Sequence, residues 1–144
     1  PEYELHLLSR VSPERKRELE ALVSPTPRLV FHNGVSDAEY AQILSQATAL
    51  VSGSRDEGFG IPVIEAMSLG VPAVISNIDI FREIGADAAI YFDQESPQDF
   101  ATAVKKLADE KTWLAVSQKS QEQAAKFSWI NSGQALLKII ESLN

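Results

Sequence analysis

Two glutamates, Glu57 and Glu65, bracket a glycine-rich turn in the run Ser54-Arg55-Asp56-Glu57-Gly58-Phe59-Gly60-Ile61-Pro62-Val63-Ile64-Glu65. A carboxylate can accept from both hydroxyls of a cis-diol such as a ribose. A turn with glycines at Gly58 and Gly60 lets the backbone approach a ligand closely. Where such a turn opens a helix, the free N–H groups of the first turn suit an anion, diphosphates included. Pro62 supports a helix start, because proline near the first helical position gives up no needed hydrogen bond. Glu65 falls about one turn into that helix, where the dipole favours a negative charge by ~0.3–1 kcal/mol without any ligand. The run is not a P-loop, since no Gly-Lys-Ser/Thr follows, and it lacks the third glycine of a dinucleotide fingerprint. These residues alone fit either a phosphate-binding turn or a purely structural helix start.

The elements that must position this run alternate along the chain. Tyr3 to Leu8 reads as a strand, and Ser12-Pro13 opens a helix to about Val23, ended by Pro25 and Pro27. Arg28 to His32 reads as a strand; Ser36 and Glu39 then have capping-box spacing before a helix from Asp37 to about Gln46. Thr48 to Ser52 is a short strand with the β-branched enrichment of a buried one. After the run above comes a helix closed by Gly70, a strand from Pro72 to Ser76 and a brief helix through Ile80 to Ile84. Ala88 to Phe92 reads as the last strand. Ser96-Pro97 begins a helix to about Asp109, and helices near Thr112 to Lys126 and Trp129 to Leu143 follow, the latter capped by Ser128. Short apolar strands alternating with helices predict an α/β fold: a Rossmann-like, doubly wound parallel sheet with helices on both faces. Ligands then sit beyond the carboxyl ends of the strands, in the loops after Leu8, His32, Ser52, Ser76 and Phe92.

Composition narrows the partners. At 144 residues the chain suits a single domain, and 44% apolar with 23% charged residues is ordinary for a globular protein. A formal charge of −7 repels phosphate backbones, which argues against nucleic acid. The basic run Arg15-Lys16-Arg17 lies between glutamates and reads as a solvated helix face. There is no cysteine, which excludes disulfides and thiolate chemistry and fits a cytoplasmic protein. Apolar runs such as Pro72-Ala73-Val74-Ile75 are too short to span a bilayer. The opening Pro1-Glu2-Tyr3 enters a strand at once, as an excised piece or a processed start would.

The central run, with Glu65-Ala66-Met67 and Gly70-Val71-Pro72, resembles the glutamate-x7-glutamate signature of retaining glycosyltransferase family 4, the glycosyl transferases group 1. The flanks agree: Phe31 with Gly34-Val35, Glu83 with Gly85-Ala86-Asp87-Ala88-Ala89, and Phe127-Ser128-Trp129. The resemblance implies the C-terminal, donor-binding domain of a two-domain GT-B fold. By it, Glu57 contacts the donor sugar's hydroxyls and assists at the reacting carbon, which makes it the catalytic candidate. Backbone N–H groups of Gly58, Phe59 and Gly60, with Ile61, hold the sugar and diphosphate; Glu65 binds the ribose hydroxyls; Gly34 and Val35 border the nucleotide base. The implied reaction moves a hexose from a UDP-, GDP- or ADP-linked donor to an acceptor hydroxyl with retention. No cofactor and no metal is implied, and the chain has no Asp-x-Asp pair. Retention in hydrolases uses a carboxylate nucleophile, and no residue is assigned that role here.

The departures from that pattern are specific. Gly53 stands where the family commonly has proline, and Ser9-Arg10-Val11-Ser12 replaces an expected glycine-rich turn. The family's cationic phosphate clamps lie on an earlier strand and loop that this sequence lacks, as it lacks the N-terminal acceptor-binding domain. The expectation is a chain inactive alone, with any membrane attachment residing in that absent domain. The alternatives are another GT-B enzyme, such as a nucleotide-sugar epimerase or a phosphorylase, or a non-catalytic nucleotide- or partner-binding module. His6 and His32 read as packed or hydrogen-bonded, Arg55 and Arg82 as solvated unless they touch phosphate. Asp56 beside Glu57 is a weak metal pattern. Trp113 and Trp129 are expected to anchor packing, and the stretch after Phe127 to present an apolar face.

Overall fold

The computed structural model describes residues 3–23 and 28–143. Pro25 and Pro27, expected to end the first helix, and the opening Pro1-Glu2 lie outside the described residues. The chain divides into two compact units, Pro1–Ile43 and Leu44–Asn144.

In the first unit, β1 (Glu4–Leu7) pairs in parallel with β2 (Arg28–Phe31), joined through helix α1 (Pro13–Leu22). Ser12 caps α1 by accepting from the N–H of Arg15, with Pro13 at the helix start, as its sequence predicts. Register sets Glu4 opposite Arg28, and their side chains form an ion pair of 2.9 Å. His6 Nδ1 and His32 Nε2 are hydrogen-bonded at 3.0 Å, so the two histidines engage each other. After β2, Ser36 and Glu39 close a reciprocal capping box: Glu39 Oε2 accepts from the Ser36 N–H at 2.8 Å, and Ser36 Oγ accepts from the Glu39 N–H at 3.3 Å. It opens α2 (Asp37–Ser45). The Ser36 N–H, and then the Ser36 hydroxyl, which donates to the same Oε2 at 2.7 Å, hold the Glu39 carboxyl below the usual carboxylate range.

The second unit is a three-stranded parallel sheet in the order β3 (Leu50–Ser52), β4 (Ala73–Ser76), β5 (Ile90–Phe92). Strand β4, in the centre, is fully buried and apolar but for Ser76, the pattern of a strand covered on both faces. Its side chains alternate. Ala73 and Ile75 pack with Val63 and Met67 of α3 (Ile61–Ser68) and Phe81 and Ile84 of α4 (Asp79–Gly85). Val74 packs on the other face with Ala103 of α5 (Pro97–Lys105) and Leu107 in the short 3-10 turn after it. Helices on both faces of parallel strands are the α/β, Rossmann-like class expected. Among the described residues the strands form two ladders, β1-β2 and β3-β4-β5. Sequence alternation marks which segments are strands but carries no signal for which edges pair.

Helix α6 (Glu110–Ala124) fastens the loops of the second unit. Its start is capped by Asp109, whose Oδ2 accepts from the Thr112 N–H at 2.8 Å, so it begins before the predicted Thr112. Ser117 Oγ donates to Gly70 O at 2.6 Å and buried Gln123 donates to Ile84 O at 2.9 Å, which ties α6 to the ends of α3 and α4. Trp113 does anchor packing, with Nε1 donating to Thr48 O at 2.8 Å. Trp129 does not: it is 87% exposed at the start of α7 (Trp129–Ser142). Every described residue of α7 is exposed, including Ile130, Leu136, Leu137, Ile139 and Ile140. Their spacing forms an apolar stripe of the kind that normally faces a core, so the expected apolar face is present and uncovered. No helix among the described residues is long and apolar enough to cross a membrane.

Candidate functional site

The loop between β3 and α3 stands at the carboxyl end of β3, where parallel α/β sheets place ligands. Its anchor is a set of three serines. Ser76, wholly buried at the end of β4, donates its hydroxyl to Ser54 O. Ser52 Oγ and Ser54 Oγ are 3.2 Å apart, and Ser54 Oγ donates to Glu57 Oε1 at 2.8 Å.

Gly60 ends the loop as the N-cap of α3, with φ +91° and ψ 45° in the left-handed region. A Cβ there would sit 2.9 Å from Phe81 and 3.0 Å from Ile84, so conformation and space both require glycine. Pro62 falls at the second helical position, since Ile61 opens the helix. Gly58 meets nothing within 4 Å of an added Cβ, and its backbone is open. No described residue offers an acceptor to the N–H groups of Gly58, Phe59 or Gly60. Phe59 stays in place through an edge-on contact with Phe127. Ile61 and Glu65 are exposed at the start of the same helix.

Beside Glu57 an open cleft of about 410 Å³ runs between the loops that follow β3 and β4, lined by Arg55, Asp56, Glu57, Ile78, Asp79 and Ile80. Three carboxylates against one arginine make it a poor place for phosphate and a good one for neutral hydroxyls. The arginine is engaged: Arg55 pairs with Glu95 at 3.0 Å, an exposed pair of small energetic weight. Arg82 is engaged too, donating to Asn77 Oδ1 at 2.6 Å with its guanidinium 3.8 Å from the Tyr91 ring centroid. Tyr91 donates to Ala86 O at 2.8 Å, and burial pushes its hydroxyl above the usual phenol range.

The structure therefore brings Glu57, Gly58, Phe59, Gly60, Ile61 and Glu65 together on one loop and the first turns of one helix. Gly34 and Val35 lie in the first unit just after β2, Gly34 with φ +75°. Sequence reasoning missed Ser52, Ser54, Ser76 and Asp79. Serines near strand ends carry no signal of their own, and Asp79 became visible only through its place across the cleft from Glu57.

Residues 12–127 match the family described as Glycosyl transferases group 1. The chain belongs to this family. It is 33% identical over 115 residues to the serotype-specific mannosyltransferase WbdA of Escherichia coli, which covers 77% of this chain and 13% of WbdA. It is 38% identical over 80 residues to the O-antigen chain mannosyltransferase RfbU of Salmonella typhimurium, or 56% of this chain and 23% of RfbU. The chain thus spans a quarter or less of these relatives. Among solved structures, sucrose-phosphate synthase from Thermosynechococcus elongatus superposes with a TM-score of 0.77 at 23% identity, over 96% of this chain and 38% of that one. The lipopolysaccharide glycosyltransferase WaaG does so with a TM-score of 0.68 at 21% identity, over 86% and 34%. At these identities the likeness is one of fold, the GT-B glycosyltransferase fold.

Proposed function

We propose that this chain is the donor-binding domain of a retaining glycosyltransferase that moves a hexose from a nucleotide diphosphate to an acceptor hydroxyl, and that it is inactive without an acceptor-binding domain. In this reading the open N–H groups of Gly58, Phe59 and Gly60, with the start of α3 at Ile61, receive the diphosphate and stabilise its growing charge as it leaves. No metal is required for that task. Glu57 meets the hexose hydroxyls in the acidic cleft and acts at the reacting carbon. Glu65 takes the ribose hydroxyls, and Gly34 and Val35 border the base. One observation carries the reading: a carboxylate fixed at the mouth of a hydroxyl-suited cleft, next to backbone donors suited to an anion.

The test is an amide NMR titration of the chain with UDP, GDP and ADP and with their hexose conjugates. Mannose conjugates come first, because several relatives are named mannosyltransferases. The expected result is shifts confined to Gly58–Ile61, Glu65 and Gly34–Ser36, with one base preferred. Binding should weaken in Glu65→Ala. Nucleotide affinity unchanged in that variant would favour a partner-binding module, and no shifts at millimolar ligand would defeat the reading for this chain.

A further inference from the structure

We infer that Ser54 is a positioning residue for Glu57, working through a hydroxyl clamp with Ser52 and Ser76; the inference rests on the reading of Glu57 as the residue that meets the donor sugar. The clamp is assembled from the carboxyl ends of two adjacent strands. Ser76 ends β4, the buried centre of the sheet, where a hydroxyl must find an acceptor. It finds the carbonyl of Ser54, so the backbone from which the Glu57 loop departs is pinned to the sheet.

The side chains then set a direction. An ionised carboxylate can only accept, so the proton in the 2.8 Å contact between Ser54 Oγ and Glu57 Oε1 belongs to Ser54. Ser54 Oγ is left to accept, and Ser52 Oγ, 3.2 Å away, is its donor. The result is a one-way chain from Ser52 through Ser54 to Glu57. It occupies Oε1 and leaves Oε2 with no donor among the described residues, on a side chain that lines the cleft.

A second serine–glutamate pair at the same spacing shows what an ordinary structural contact looks like here. Ser36 and Glu39 exchange bonds with each other's backbone N–H groups, with the Ser36 hydroxyl also donating to Glu39 Oε2 at 2.7 Å, and open a helix. The Ser54–Glu57 contact is made by the side chains alone, with neither residue's backbone N–H in it, and α3 begins only at Ile61, beyond it. It caps nothing. What it does is restrict a glutamate that would otherwise sample several rotamers, so that one oxygen stays presented to a ligand hydroxyl.

The test compares affinities of this chain for a nucleoside diphosphate and for its hexose conjugate, using wild type, Ser54→Ala, Ser54→Thr, Glu57→Ala and the Ser54→Ala/Glu57→Ala double variant, each checked for an unchanged melting transition. Loss of one charge-assisted hydrogen bond should weaken conjugate binding in Ser54→Ala about five- to tenfold. The diphosphate alone should bind as in wild type, Ser54→Thr should restore most of the loss, and the double variant should be no weaker than Glu57→Ala. If Glu57→Ala loses the conjugate while Ser54→Ala does not, or if Ser54→Ala weakens both ligands equally, positioning is wrong and the reading of Glu57 stands. If wild type gains nothing from the hexose, the reading of Glu57 fails and the inference falls with it.

Discussion

The ring of Phe59, on the glycine-rich loop, stands edge-on to that of Phe127, at 5.9 Å between centroids and 77° between planes. Phe127 follows α6 and packs against the core formed by α3, α4 and β4. The loop is thus held from two directions, by serine hydroxyls at its start and an aromatic contact near its end. Edge-to-face pairs add ~0.5–1.5 kcal/mol beyond the area they bury. Phe127→Ala should lower stability by about 2–4 kcal/mol, toward the low end because the ring is only partly buried. Amide exchange at Gly58, Phe59 and Gly60 should quicken beyond the global change. Exchange that merely tracks global stability would show that Phe127 does not hold the loop.

The two loop glycines should behave differently. Gly60→Ala places a methyl in a left-handed position against Phe81 and Ile84, and about 1–3 kcal/mol of stability should be lost. Gly58→Ala has open space and a negative or extended φ, so its melting temperature should stay close to wild type. Any nucleotide affinity should nevertheless fall, because the methyl intrudes where the ligand approaches. Equal melting temperatures for the two variants would contradict this account of Gly60.

Acid should loosen the start of α6. The Thr112 hydroxyl, and then its N–H, hold the Asp109 carboxyl below the usual carboxylate range. A depressed folded pKa means that the cap contributes its stability above about pH 4 and loses it as pH falls further. Asp109→Asn keeps a capping oxygen but no titration. Thermal melts from pH 6 to pH 3 should therefore fall less steeply in the variant, with similar values at neutral pH. Parallel curves would remove Asp109 from the acid response.

Helix α7 buries none of its described residues, and the family match ends at Phe127, just before it. Deleting residues 129–144 should leave the melting temperature within about 2 °C, since surface changes away from packing usually cost less than ~0.5 kcal/mol. The intact chain should associate through the uncovered stripe at high concentration, while Leu137→Glu and the deletion should not. Sedimentation showing a monomer throughout for the intact chain would refute the association.

Much of the secondary structure in both units was legible because its signals are local. Ser96-Pro97 and Ser12-Pro13 mark helix starts through a hydroxyl cap and a fixed φ, and both α5 and α1 begin there. Gly85, the last residue of α4, is not a left-handed cap glycine. The positive φ falls on Ala86, and Gly85 is needed because a Cβ would come within 2.6 Å of the Tyr91 hydroxyl. The Glu57 loop was legible through its glycines and acids. Its serine clamp was not, since it depends on which strand ends lie side by side, and that is set by pairing over 22 positions between Ser54 and Ser76.

The acidic lining of the cleft also has a kinetic meaning. The proposed donor, a nucleotide sugar, is a dianion, whereas this chain has a net charge of −7 and the mouth of the cleft carries Asp56, Glu57 and Asp79 and an arginine already paired. Their mutual repulsion slows encounter, and mobile ions shorten its reach to ~10 Å at 0.1 M ionic strength. Added salt should therefore speed association with this chain, the reverse of its effect at a phosphate site ringed by lysine and arginine.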